Sequence, residues 1–428
     1  MFTTILGTPL ELPCGAILIN RLCKAALTEG LADSMNRSTD SIERLYRRWS
    51  HGGAGLVITG NVQVDRSHLE RPGNVVVDAN GGVEELRAYA KGGTEAGNHL
   101  WMQINHPGRQ TPKALNERPL APSAIALNVP GGGFGAPRAA TEGEILDLIR
   151  RFAHVAAVAR ECGFTGVQIH AAHGYLISQF LSPIANCRRD AWGGSLANRA
   201  RFLLEITHAI RGAVGPDFPI AVKLNSADFQ QGGFSNEEAV QVAQWLSAAH
   251  VDLLELSGGS YEQLVMIGAG TEAAPASPLR ESTRQREAYF LQYASMIKPA
   301  ARMPVMVTGG FRTRRGMEEA IANGEADMIG LGRPLCVDPE LPRRLLSGEV
   351  DHAPTWEHRL KLEPTALGAD VDPATHRQVE TWGKQGWFCL QLIRIGHGLA
   401  PDLRMSVMEG FTGYQENEAR MTAALEGR

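Results

Sequence analysis

Eight short apolar, β-branched runs, each bounded by Gly, Pro or Asn, constrain this chain more than any other feature. They are Leu22–Leu27, Gly55–Gly60, His99–Asn105, Gly166–His170, Pro219–Leu224, Leu253–Ser257, Pro304–Thr308 and Met328–Leu331. Stretches with helical spacing separate them, most clearly Glu144–Cys162, where Ile145, Leu148, Ile149, Phe152, Val155, Ala156 and Ala159 fall on one face. Strands that alternate with helices pair in parallel, because each helix returns the chain to its starting edge. Eight such units predict a TIM (β/α)8 barrel, whose active site lies at the C-terminal ends of the strands. A doubly wound sheet is the alternative, weakened because no G-x-G-x-x-G opens the first helix. The barrel is expected over residues 1-350 and a C-terminal helical extension over 351-428. In that extension the run Trp387–Ile393 is apolar on most sides, which predicts burial against the barrel or a neighbouring subunit. The connection from His106 to about Glu142, with Gly131 to Gly135 inside it, is long for a βα loop and predicts a lid over the barrel mouth.

Charge excludes several functions. The 42 basic and 46 acidic residues leave a net charge of −4 with no long block of one sign, so neither nucleic acid nor a membrane surface is an expected partner. The first twenty residues carry no basic residue ahead of their apolar ones and are broken by Pro9, Glu11, Pro13 and Gly15, so a signal peptide is not expected. Cys14, Cys23, Cys162, Cys187, Cys336 and Cys389 form no C-x-x-C pair, which argues against a disulfide framework, a zinc knuckle and an iron–sulfur cluster. A reduced cytoplasmic enzyme is expected.

Polar groups gather where a barrel would place its chemistry. His170, His173 and Tyr175 follow the fourth strand; the two histidines read either as a metal pair or as satisfied structural side chains, and with no third ligand nearby no metal is expected. Gly309 and Gly310 follow the seventh strand and Gly332 and Arg333 the eighth, where backbone N–H groups and a guanidinium can converge on a phosphate. Thr28, Gln103 and Lys223 lie near the ends of the first, third and fifth strands. A lysine there must be paired or used, so Lys223 faces either a buried acid or an anionic cofactor.

Read together, Asn20-Arg21 with Ala26-Leu27-Thr28, the run Gln103 to Arg109, His170-Ala171-Ala172-His173-Gly174-Tyr175-Leu176, Ser182-Pro183, Gly193-Gly194-Ser195 with Asn198-Arg199, and the Thr308-Gly309-Gly310 and Gly332-Arg333 pair resemble the Old Yellow Enzyme family of FMN-dependent NAD(P)H oxidoreductases. The resemblance implies FMN as cofactor and NAD(P)H as reductant; FMN rather than FAD also follows from the absence of a dinucleotide fingerprint. It implies that Ala26, Leu27 and Thr28 border the flavin, that Gly60 lets the ring approach the second strand, that Gln103 pairs with the pyrimidine edge, and that Lys223 sits at N1 and the C2 carbonyl. It further implies that Gly309, Gly310, Gly332 and Arg333 hold the phosphate, that His170 and His173 bind a substrate carbonyl, and that Tyr175 supplies a proton. The implied activity is ping-pong reduction of the C=C bond of a small-molecule enone by a homo-oligomeric enzyme.

Three departures qualify this. Many relatives carry Arg where Lys223 stands, and a point charge cannot make the forked contact. One branch has a cysteine at the Thr28 position; Cys23 is not that residue, since it lies at an odd offset in a strand and reads as buried packing. The cysteine cluster and nucleotide domains of the longer dienoyl-CoA reductase relatives are lacking, so hydride is expected to reach the flavin directly from NAD(P)H. Two rival functions stay open at this level: a non-flavin phosphate-site barrel (aldolase or isomerase) using Lys223, and an FMN-binding barrel with an assembly or sensing role and little turnover.

Overall fold

The structure, a computed structural model, describes residues 4–129, 132–259, 261–262, 288, 290–368 and 371–426. Gly131 therefore lies outside the described residues. The eight apolar runs form eight parallel strands: β1 (Leu22–Lys24), β2 (Leu56–Gln63), β3 (His99–Asn105), β4 (Gly166–Ala171), β5 (Ile220–Asn225), β6 (Leu253–Ser257), β7 (Val305–Thr308) and β8 (Met328–Leu331). Each pairs with its neighbours, and β8 pairs with β1 to close the barrel.

A helix follows every strand: α1 (Asp40–Ser50), α2 (Val83–Gly93), α3 (Glu142–Glu161), α4 (Leu196–Val214), α5 (Asn236–Ala248), α6 (Leu291–Ile297), α7 (Arg314–Ala322) and α8 (Leu341–Ser347). The start of α3 shows the local logic. Thr141 accepts from the Glu144 N–H and Glu144 accepts from the Thr141 N–H, a reciprocal cap that begins the helix two residues before the predicted Glu144.

Two faces of the barrel wall are filled differently. Outside, apolar strand residues such as Val57, Ile104, Val222 and Leu256 pack on the helices. Inside, Cys23, Leu56, Ile58, Trp101, Ala221, Leu253, Met306 and Met328 form an apolar floor with Leu10, Leu12 and Leu18. The latter three come from an antiparallel hairpin, Leu10–Glu11 with Ile17–Leu18, which plugs the N-terminal end. Cys23 is buried packing, as expected, but for a different reason. It points into the floor, and the regular strand stops at Lys24, so strand parity does not carry from Cys23 to Thr28.

Two helices of the C-terminal extension, α9 (Pro373–Gly396) and α10 (Val407–Glu426), pair through glycines: a Cβ on Gly383 would meet Val407, and one on Gly386 would meet the Gly410 carbonyl. The run Trp387–Ile393 is largely buried, with Trp387 fully enclosed and stacked on Trp356 at 5.9 Å between ring centroids. A Trp387→Ala cavity would cost about 3–5 kcal/mol. Among the described residues no helix is long and apolar enough to cross a membrane.

Candidate active site

A cavity of about 980 Å³ lies at the C-terminal strand ends, enclosed by the barrel mouth, the β3–α3 connection and the two tail helices. The connection contributes Pro112, Leu115 and Phe134, so it covers the mouth as a lid would. It is tied down at two places. The Leu120 N–H donates to His68 Nε2 (3.0 Å), and Arg109 pairs with Glu262 (2.7 Å) while donating to the Ile125 and Ala126 carbonyls.

Asp65, His68 and His106 bring possible ligand atoms within 4.8 Å of one another, a trio not anticipated from the sequence. The Leu120 N–H occupies His68 Nε2, which leaves the ring proton on Nδ1 facing Asp65 at 2.8 Å. Asp65 and His68 thus form a carboxylate–imidazole pair that anchors the lid, while His106 Nδ1 accepts from the Gly108 N–H (3.0 Å) and its buried Nε2 has no partner among the described residues.

Ten of the thirteen residues named from the sequence line the cavity. Ala26, Leu27 and Thr28 follow β1, His173 and Tyr175 follow β4, and Lys223 rises from β5. Gly309, Gly310, Gly332 and Arg333 line one end, where Gly309 and Gly310 adopt φ of 133° and 84°, a region that L side chains rarely enter. Arg312, missed in the sequence although only two residues past Gly310, joins Arg333 there, and Glu357 of the tail meets Arg312 closely and Arg333 at 3.9 Å.

The other three are buried beside the lining residues. His170 packs edge-on against the rings of His173 and Tyr175, at 5.1 and 4.8 Å. Gly60 faces the first strand's extension: a Cβ there would collide with the Glu29 carboxylate and the Leu27 carbonyl, so that close approach is what demands glycine. Gln103 is buried; its Nε2 donates to Asn61 Oδ1 (2.8 Å) and its Oε1 has no partner among the described residues.

Lys223 faces a buried acid, and it also borders the cavity. It lies abreast of His170 on β4 and Glu255 on β6, pairs with the fully buried Glu255 at 3.1 Å, and still lines the cavity. Lys223→Met would strand the Glu255 carboxylate, which Gln168 Nε2 also holds at 2.7 Å. The expected loss of stability is about 3–5 kcal/mol, most of it recovered by adding Glu255→Gln, and urea midpoints of the two variants check this.

Burial pushes the pKa of His170 well below its ordinary value, helped by His173 and Lys223; burial does the same to His173, helped by Lys223. Both imidazoles are therefore neutral in the folded protein. An unfolded chain binds protons at histidine below about pH 6.5, so stability is complete above that pH and falls as the pH drops through it. A melting temperature that declines from pH 6.5 to 5, less steeply in His170→Asn, is the expected result. Tyr175 hydrogen-bonds Tyr261 at 3.0 Å, and burial, then the charge of Glu70, raise its pKa well above the ordinary phenol value. His173 adopts φ 61°, fixed by its N–H to Asn225 Oδ1 (3.0 Å), and its Nε2 meets Ser257 Oγ at 2.8 Å.

The sequence reading passed over Glu70, Arg71 and Tyr261, which lie past β2 and β6, and the tail residues Phe388, Tyr414 and Glu418. The strand-end rule, applied to β6 as it was to β4, would have found Tyr261, whereas Glu70 and Arg71 lie further along the loop after β2.

A cation at mid-barrel, arginines and glycines at one end, and buried Gln103 Oε1 and Thr308 Oγ1 atoms with no partner among the described residues fit a flavin mononucleotide. Such a barrel is of the flavin-dependent oxidoreductase class. The NADH:flavin oxidoreductase / NADH oxidase family matches residues 6–352, and the chain belongs to it. It is 39% identical to the NADH-dependent flavin oxidoreductase iliE of Neonectria sp. (strain DH2), over 79% of this chain and 46% of that protein. It is 36% identical to the protein of the same name from Hypocrea jecorina (strain QM6a), over 83% of this chain and 92% of that one. The old yellow enzyme homologue from Zymomonas mobilis superposes with a TM-score of 0.68 at 26% identity, over 84% of this chain and 98% of that structure. The chain is thus an FMN-dependent oxidoreductase that draws on NAD(P)H, and the non-flavin barrel is set aside.

Proposed function

We propose that this oxidoreductase reduces the C=C bond of α,β-unsaturated carbonyl compounds in a ping-pong cycle, with NAD(P)H and the enone using the same cavity in turn. The observation that carries this reading is Tyr175, a buried phenol lining the cavity beside His173 and held in its protonated form. Bound FMN supplies the hydride; Ala26, Leu27, Thr28, Lys223, Gly309, Gly310, Gly332 and Arg333 would hold it, with Gln103 beside them.

The remaining chemistry belongs to the chain. His173 would donate to the substrate carbonyl and draw electron density from Cβ. His170 supports it: its Nδ1 accepts from the Ala172 N–H (3.2 Å), fixing the tautomer and holding the ring against His173 and Tyr175. Tyr175 delivers its proton to Cα as negative charge develops there. The lid and tail exclude water from the reacting atoms.

Turnover of an enone in D2O with unlabelled NAD(P)H tests the proton assignment. The expected product is the saturated carbonyl with one solvent deuterium at Cα and none at Cβ. NAD(P)H consumption that no enone accelerates would overturn the reading.

A further inference from the structure

Glu70, on the loop after β2, is assigned no contact with flavin or substrate above, yet it collects the hydrogen bonds of the wall around Thr28. Thr28 Oγ1 donates to its two carboxylate oxygens at 3.0 and 3.2 Å, and Asn61 Nδ2 donates closely to the same group. Asn61 in turn accepts from Gln103 Nε2 at 2.8 Å. Direction follows from the inventory of protons. An ionised carboxylate only accepts, and a hydroxyl has one proton, so the Thr28 proton is committed to Glu70 and its oxygen is left as an acceptor. Gln103, with one of its two amide N–H groups given to Asn61, offers an Oε1 that has no partner among the described residues as an acceptor.

We propose that Glu70 is a positioning residue that makes the Thr28 side of the cavity an acceptor surface of negative character, and so lowers the reduction potential of the bound flavin. This rests on FMN occupying the cavity. A carboxylate held in a partly buried wall disfavours added electron density nearby, whereas Lys223 favours it, so the pair sets the potential from opposite signs. Burial and the same carboxylate keep the Tyr175 phenol protonated, consistent with a negative field on this side of the cavity.

The test is an anaerobic spectroelectrochemical titration of the FMN-loaded wild type, Glu70→Gln, Glu70→Asp and Thr28→Val. Glu70→Gln is expected to raise the midpoint potential, and Glu70→Asp, which keeps the charge, to stay close to wild type. The Glu70→Gln shift should shrink in the Thr28→Val background, because part of the effect passes through the Thr28 hydroxyl. A flavin-loaded Glu70→Gln with the wild-type potential overturns the proposal, as does a shift shared equally by Glu70→Asp. If Glu70→Gln does not fold, a Thr28→Val potential equal to wild type overturns the route through Thr28. A wild-type protein that takes up no FMN defeats the flavin assignment instead, which separates the two failures.

Discussion

Tyr175→Phe is expected to reduce its flavin with NAD(P)H at the wild-type rate and to pass hydride to an enone about 10²- to 10⁴-fold more slowly, the range typical of a lost general acid. The reasoning is one of proton balance. The reductive half-reaction needs no proton from the phenol, whereas saturation of the C=C bond must place one on Cα. Tyr175 is suited to hold that proton until charge develops, because burial, Glu70 and the Tyr261 contact all resist its early loss. Phe keeps the packing against His170 and removes only the hydroxyl. Equal slowing of both half-reactions in stopped-flow measurements, or no slowing of the second, would remove Tyr175 from the role.

Ending the chain after Glu349 is expected to abolish flavin retention and to leave the barrel prone to aggregation. The tail does more than cover apolar surface. Glu418 of α10 pairs with the buried Arg71 at 2.6 Å, and Tyr414 lies 5.0 Å from the same guanidinium. Glu357 balances Arg312 and Arg333 at the expected phosphate end. Removing both glutamates takes the carboxylate partner from Arg71 and Arg312, and each broken buried pair costs about 3–5 kcal/mol. Phe388 and Leu392 would also leave the cavity wall. Gel filtration and the flavin-to-protein absorbance ratio of the shortened chain measure this; a soluble, flavin-loaded product with unchanged kinetics would show the tail to be dispensable.

The barrel was legible because its strands are short, β-branched and punctuated by glycine and proline, and all eight formed within a few residues of their predicted bounds. The plug hairpin was not, since two-residue strands carry no period. Side chains directly at strand ends, such as Tyr175, Lys223 and Arg333, were legible from position. Glu70 was missed because it lies well beyond the end of β2, where the apolar pattern has stopped, whereas Arg312 stands as far past β7 as Tyr175 does past β4 and was within reach of the same rule. The contribution of Tyr414 and Glu418 was invisible for another reason: packing alone brings α10 back over the mouth, and packing between distant segments leaves no local signal. His170, also read from its place at a strand end, is buried abreast of Lys223 and packed against the rings of His173 and Tyr175.

The central claim is a flavin that cycles between NAD(P)H and an enone in this cavity, and the visible spectrum of the purified protein tests it most directly. The account predicts a yellow protein whose released flavin is FMN by mass, which NAD(P)H bleaches anaerobically and which an α,β-unsaturated carbonyl then returns to full colour with formation of the saturated product. A protein that NAD(P)H bleaches but that no enone recolours would contradict it.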